Sequence, residues 1–327
     1  MTLTLADIQK KLLEMMQETI NGTGIDISKW NEIFDIDTPD LKVILQILDF
    51  VVLRMGYGGT DGKPWKDIKF DEFWAELLQH PEIMRMLYWY FSSEVPWEDQ
   101  LEFVCNMLDD IGDDWEVFWL DLEAINNKKT AGYALTAIRF LKAMQKRYPN
   151  KRIGLYANKY FYKDNLRVYT AEVDGWAYWV AQYPWGNWIT NVTEYFVNWW
   201  AMVFSSLTKK PSMPPSRGAD DWEIWQVGDR TGFGKFLGLG GRDVDINITR
   251  RTWANFILWV GKPSRWGGVT PPEPPTGDCE ELQISLNALY ETILKEVPAL
   301  ETTTEYLNNA ITLVEGSLSA LKHSIQD

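Results

Sequence analysis

In the segment Val117-Phe118-Trp119-Leu120-Asp121-Leu122-Glu123-Ala124, two carboxylates stand two residues apart. On an extended strand that spacing sends both side chains to one face, with Cα atoms about 6.5–7 Å apart. Two carboxyls so placed do not ionise independently, and one of them keeps its proton to a higher pH. A protonated carboxyl beside an ionised one is the pair that hydrolysis of a glycosidic bond needs. Acidic pairs at strand ends are common, so this spacing is a weak signal by itself. It gains weight from Asp26, in Gly24-Ile25-Asp26-Ile27-Ser28-Lys29-Trp30, and from Asp245, in Val244-Asp245-Ile246-Asn247. Three separate apolar runs would then bring four acids to one rim, a convergence that costs self-repulsion.

Composition narrows the alternatives. With two histidines and two distant cysteines, Cys105 and Cys279, the 327-residue chain has little from which to build a multi-histidine metal site, a Ser-His-Asp triad or a redox motif. No metal and no cofactor is expected, and both cysteines are expected to be reduced. The net charge of −14 argues against binding nucleic acid or an anionic membrane surface. No segment is long and apolar enough for membrane insertion, and the first 22 residues lack the basic start and compact apolar run of a signal peptide. The expectation is synthesis without a signal peptide. The 18 tryptophans stand out: most fit the core or its edge, and their flat faces suit sugar rings as well as packing.

Positioning four acids at one rim requires strands in register. Short apolar runs at Gly24–Ile27, Val51–Met55, Met86–Phe91, Val117–Glu123, Arg152–Ala157, Trp176–Ala181, Glu223–Val227 and Val244–Ile248 read as strands. Helical periodicity falls between several of them, at Phe70–Gln79, Trp97–Leu108 and Ala131–Arg147. This alternation predicts an α/β fold with a parallel sheet, an irregular (β/α) TIM-like barrel over 23–261 whose active side lies at the strands' C-terminal ends. Residues 1–22 read as a flanking amphipathic helix. Residues 262–278, with Pro271-Pro272-Glu273-Pro274-Pro275, read as a stiff linker. In 279–327, apolar residues recur in four-three steps from Leu286 to Ile325, a heptad pattern predicting a helical coiled coil. Pro298 should kink it. A homo-oligomer, dimer or trimer, would follow; a helical hairpin folded back on the barrel is the alternative.

Over Gly24 to Asn255 the chain resembles the family 25 glycoside hydrolases, which are lysozymes (N-acetylmuramidases). Gly24–Trp30 is similar to the family's opening G-[IV]-D-[IV]-S, Phe50–Gly58 to its second strand with Arg54 at a basic position, and Asp67–Phe70 to its D-x-x-F. Leu87–Phe91 resembles the aromatic third strand, Trp119–Ala124 the D-x-E strand, and Gly154–Ala157 the strand bearing Tyr156. Tyr178–Tyr183, Trp222–Val227 and Asp245–Asn247 follow in order, resembling [LW]-W-[IV]-A-x-Y, W-x-x-W-Q and D-[LI]-N. The third strand departs from the usual Y-H-[FY], reading Tyr88-Trp89-Tyr90. The resemblance implies a retaining-type peptidoglycan hydrolase of the phage-lysin kind, cleaving the β-1,4 bond between N-acetylmuramic acid and N-acetylglucosamine in the bacterial cell wall. Glu123 would be the general acid, assisted by Asp121, with Asp26 and Asp245 completing the acidic rim. Arg54, Tyr90, Tyr156, Trp179, Trp225, Gln226 and Asn247 would contact substrate, the aromatic residues as stacking faces.

Whether the nucleophile is a carboxylate or the substrate's own acetamido oxygen stays open. So does the role of the aromatic stretch at 186–219, which would either extend the cleft or pack on another element. A non-catalytic virion protein using the same barrel to hold glycan is the alternative function, favoured by the oligomerising tail and opposed by the four acids. A hydrolase for another glycan, such as chitin, would differ only in subsite contacts.

Overall fold

The computed structural model describes residues 21–31, 48–59, 61–123, 132–183, 210–228 and 244–261. The chain divides into two compact units, Met1–Val192 with Pro211–Lys262, and Thr193–Lys210 with Pro263–Asp327. Apart from Lys210, all described residues belong to the first unit. The expected N-terminal helix, the Pro-rich linker, the coiled coil and most of the aromatic stretch at 186–219 lie outside the described residues.

Nine strands are described: β1 (Asn21–Ile27), β2 (Phe50–Tyr57), β3 (Trp65–Lys66), β4 (Met84–Tyr90), β5 (Val117–Asp121), β6 (Arg152–Asn158), β7 (Ala177–Ala181), β8 (Ile224–Gly228) and β9 (Asp245–Thr252). They form one sheet in the order β1-β9-β8-β7-β6-β5-β4-β2-β3, and pairing of β1 with β2 closes eight of them into a barrel. The short β3 hangs on β2 outside the closure. The sequence reading located all eight barrel strands but began the first at Gly24, whereas β1 starts at Asn21. It also expected a parallel sheet. The structure corrects this at one strand: β9 runs antiparallel to both β8 and β1.

Helices α1 (Phe70–Leu78), α2 (Trp97–Ile111) and α3 (Tyr133–Arg147) follow β3, β4 and β5. Each presents an apolar stripe at three- and four-residue steps, as in Phe70, Phe73, Trp74 and Leu77 of α1. Acids open α1 (Asp71, Glu72) and α2 (Glu98, Asp99), opposite in sign to the positive helix end. Short helical turns over 159–173 replace a full helix between β6 and β7. The last helix, α4 (Trp253–Val260), ends at Gly261, whose left-handed φ of 89° lets its N–H reach the carbonyls of Ile257 and Leu258.

Alternation along the strands sorts the side chains. Phe118 of β5 points outward and stacks on Phe140 of α3 (6.1 Å), and Trp89 of β4 meets Phe103 of α2 (5.7 Å). Their neighbours point inward. Trp179 of β7 fills the barrel interior, edge-on to Tyr88 of β4 (6.0 Å), Trp119 of β5 (5.9 Å) and Tyr156 of β6 (4.6 Å). Trp119 has room because residue 154 opposite is glycine. At the N-terminal ends of the parallel strands, Trp253 and Phe256 of α4 stack on Phe50 of β2 (6.2 and 6.4 Å) and close that end. Chemistry is left to the other mouth.

Candidate active site

The four acids meet at that mouth. Asp26 is near the end of β1 and Asp121 ends β5, with Glu123 two residues beyond. Asp245 opens β9 and is the direct partner of Asp26 in the β1–β9 register. Backbone bonds continue past the strand tips and hold the rim in register, from Phe91 N–H to Asp121 C=O (2.9 Å), Leu122 N–H to Tyr156 C=O (2.9 Å) and Gln182 N–H to Gln226 C=O (3.1 Å).

The environments of the carboxyls differ. Asp121 is buried, and its Oδ1 has no hydrogen-bond partner among the described residues. Burial first, then the charges of Glu123 and Asp26, push its pKa well above the ordinary carboxylate range against the opposing pull of Arg54. Burial and like charge thus both favour the protonated form of Asp121. Asp26 is also buried, but its Oδ2 accepts from Gln226 Nε2 (2.9 Å) and Asn247 Nδ2 (2.8 Å). Burial raises its pKa above the ordinary carboxylate value, opposed by the bonds from Asn247 and Gln226, by Asp245 and by the charge of Arg54. Asp245 is the direct strand partner of Asp26, and Gln226 Nε2 reaches both carboxyls. Glu123 opens to solvent at the rim. Its carboxyl sits against the packed mouth, and the resulting loss of water raises its pKa, opposed by the nearby Tyr156 hydroxyl and reinforced by the charge of Asp26.

Arg54 supplies the positive charge felt by Asp26 and Asp121. Its Nε donates to Asp67 Oδ2 (2.6 Å), and Asp67 also accepts from the backbone N–H groups of Lys29 (3.0 Å) and Lys69 (2.9 Å). The D-x-x-F segment thus anchors the guanidinium. Across the mouth, Gln226 Oε1 accepts from Tyr156 (2.8 Å) and Tyr183 (2.7 Å), while its Nε2 donates to Asp26 and, at 3.3 Å, to Asp245. Asn247 in turn accepts from Trp179 Nε1 (2.8 Å).

The structure thus gathers Asp26, Arg54, Tyr90, Asp121, Glu123, Tyr156, Gln226, Asp245 and Asn247 around one mouth. It does not give every one the expected contact. Trp179 and Trp225 are each 1% exposed, so neither offers a free ring face. Trp179 fills the barrel, and Trp225 points outward, donating to Gln182 C=O (2.8 Å) and packing on Trp222. Gln226 and Asn247 are buried with their carboxamides committed to other side chains. Tyr90 remains half-buried, beside Asp121 and Glu123. Residues that sequence reasoning missed are Tyr88, buried among the acids; Tyr133, which feels Asp121 and Glu123; and Tyr183, half-exposed at the rim. Tyr183, two residues past the end of β7, and Tyr88, on the same face of β4 as Tyr90, carried a signal. No group of three or more His, Cys, Asp or Glu among the described residues is arranged to hold a metal ion.

A closed barrel with a carboxyl cluster at one mouth, one member buried and another open to solvent, has the architecture of an acid–base glycosidase. The chain belongs to the glycosyl hydrolases family 25, whose pattern matches residues 25–233. No curated protein matches it in sequence. Among solved structures it resembles the catalytic domain of endolysin ply40 from bacteriophage P40 of Listeria monocytogenes (16% identity, TM-score 0.51, covering 75% of this chain and 98% of that one). It also resembles the bacterial lysozyme from Streptomyces coelicolor (15% identity, TM-score 0.51, covering 75% and 99%). At these identities the likeness is one of fold.

Proposed function

We propose that this glycoside hydrolase is a muramidase that cuts bacterial peptidoglycan at the β-1,4 bond between N-acetylmuramic acid and N-acetylglucosamine. The observation that carries the reading is the division of labour among the four acids: Asp121 buried with an orphan oxygen among the described residues, Asp26 and Asp245 bridged by Gln226, and Glu123 open to solvent. Glu123 is the most open of the four and can reach a glycosidic oxygen, and its raised pKa keeps a proton available for the leaving group. Asp26, held by two carboxamide donors, supplies negative charge below the sugar as positive charge develops on the ring. Asp121 orients the reacting sugar's N-acetyl group, and its neutral carboxyl can donate a hydrogen bond there. Half-buried Tyr90 and exposed Tyr183 offer rings at the rim for sugar contact. A protein that merely holds glycan has no use for a carboxyl kept neutral in this way.

The lysozyme and phage-endolysin structures of this fold support a wall glycan as substrate. In the same reading the protein is a phage-type lysin, and the C-terminal heptads pair copies of the chain, which increases avidity for a polymeric wall. Among the described residues no helix is long and apolar enough to cross a membrane.

The test is clearing of purified peptidoglycan by wild type and by Glu123→Gln, with the newly formed reducing sugar identified. Release of N-acetylmuramic acid ends by the wild type, with activity reduced on the order of a hundredfold or more in the variant, is the expected result. Equal clearing by both proteins defeats the assignment.

A further inference from the structure

Gln226 stands apart from the other polar residues of the mouth. It is 2% exposed, and all of its hydrogen-bonding capacity is used within the protein. Oε1 accepts two tyrosine hydroxyls, and the two Nε2 hydrogens go to carboxylates on two different strands, β1 and β9. A carboxamide has two acceptor sites and two donors, so nothing remains for a ligand. We propose that Gln226 is a positioning residue: it spans the gap between Asp26 and Asp245 and fixes their mutual orientation.

Three features support this role. The amide is fixed from both sides, because Tyr156 and Tyr183 cannot both stay bonded if it rotates. Hydroxyls donating to the amide oxygen polarise the group and strengthen its N–H donors, as in any hydrogen-bonded chain. The arrangement is also doubled: Asn247 places a second amide N–H on the same Asp26 oxygen and is itself held by Trp179. Amide donors favour the ionised form of a carboxyl. The remaining charged and titratable groups facing Asp26 are Asp245 on β9, Arg54 on β2, Asp121 and Glu123 at β5, Tyr88 on β4 and Tyr156 on β6. Of these, Arg54 alone is a cation, so loss of an amide donor leaves Asp26 less able to stay ionised.

The role rests on the muramidase reading, and the experiment separates the two. Reducing-end release from peptidoglycan is measured for the full chain as wild type, Gln226→Leu and Tyr183→Phe, from acid to neutral pH, with melting followed in parallel. For Gln226→Leu, kcat is expected to fall about tenfold or more with KM changed less than about twofold, and the acid limb to move up by about one pH unit. The sign follows from the bond that is lost: Gln226 lowers the Asp26 pKa, so its removal raises that pKa and delays ionisation to higher pH. In Tyr183→Phe, a rim change that leaves the core intact, kcat should fall about two- to fivefold with the acid limb moving the same way. A folded Gln226→Leu protein whose pH profile superimposes on the wild type overturns the role. If that variant does not fold, Tyr183→Phe decides, and an unmoved acid limb overturns it. A wild type that releases no reducing ends overturns the function and the role together.

Discussion

Gly154 sits on β6 where the Trp119 indole crosses the barrel. A Cβ added there would strike Trp119 Cζ3, lie 2.7 Å from its Cε3 and 2.8 Å from the carbonyl oxygen of Ala177. Ordinary contact begins at 3.4 Å, so the ring must retreat by about 0.7 Å or more, and the carbonyl belongs to the paired strand β7. Trp119 is fully buried and has Trp179 against it at 5.9 Å, which leaves no direction in which it can move freely. Overpacking of this kind costs about 1–3 kcal/mol, and the rigid neighbours place Gly154→Ala at about 2–3. For a barrel of this size that is a fall in Tm of about 4–12 °C. The displacement should also reach the chemistry, because Trp179 donates to Asn247 and Asn247 holds Asp26. Gly175→Ala is the control: nothing lies within 4 Å of its added Cβ, and stability should stay within about 0.5 kcal/mol. Thermal and urea denaturation of the three proteins, with wall-clearing rates, decide the matter. A Gly154→Ala protein as stable as Gly175→Ala would refute the claim that Trp119 is wedged.

Replacing Arg54 by Met removes a charge that lowers the pKa values of both Asp26 and Asp121, so the acid limb of the rate profile should move to higher pH. Arg54→Lys keeps the charge and should hold the limb near the wild type; equal movement in both variants would exclude the charge as the cause. Arg217 is buried outside the barrel, its guanidinium 4.7 Å from the Tyr178 ring and donating to the carbonyls of Val173 (2.9 Å) and Trp176 (2.9 Å) and to Tyr162 (3.1 Å). Arg217→Met orphans those acceptors and should cost about 3 kcal/mol in urea denaturation with KM unchanged, and a loss under about 1 kcal/mol would contradict this.

Strand positions were legible because barrel strands buried on both faces are short apolar runs bounded by polar turns. The D-x-E pair was legible because period-two alternation sends Asp121 and Glu123 the same way. Burial that depends on the far wall of the barrel was not. Trp179 and Trp225 both looked like sugar platforms, yet Trp179 lies inside the barrel against Tyr88 from a strand far away in sequence, and Trp225 points outward. Gln226 and Asn247 were foreseen at the mouth but with the wrong contact, since only the closed sheet shows that their amides are consumed by Asp26. Tyr133 gave no sign in the sequence, because an aromatic residue near an acid in space need not be near it in the chain, whereas Tyr88 shares the strand face of Tyr90 and was legible by the same alternation.

The direction of β9 carries the deepest consequence for the site. In a parallel strand Asp245, at the start of its run, would lie at the closed end with Phe50 and α4, a full strand length from Asp121. Reversal places the beginning of β9 at the open mouth, so Asp245 faces Asp26 and Asn247 can reach the same carboxylate. The same reversal sends the chain down to the other end, where α4 follows at once and stacks Trp253 and Phe256 on Phe50. A single turned strand thus supplies two polar residues to one mouth and the aromatic plug of the other. The sequence reading put Asp245 at the rim while assuming a strand direction that would have placed it elsewhere; antiparallel pairing is what reconciles the position with the chemistry.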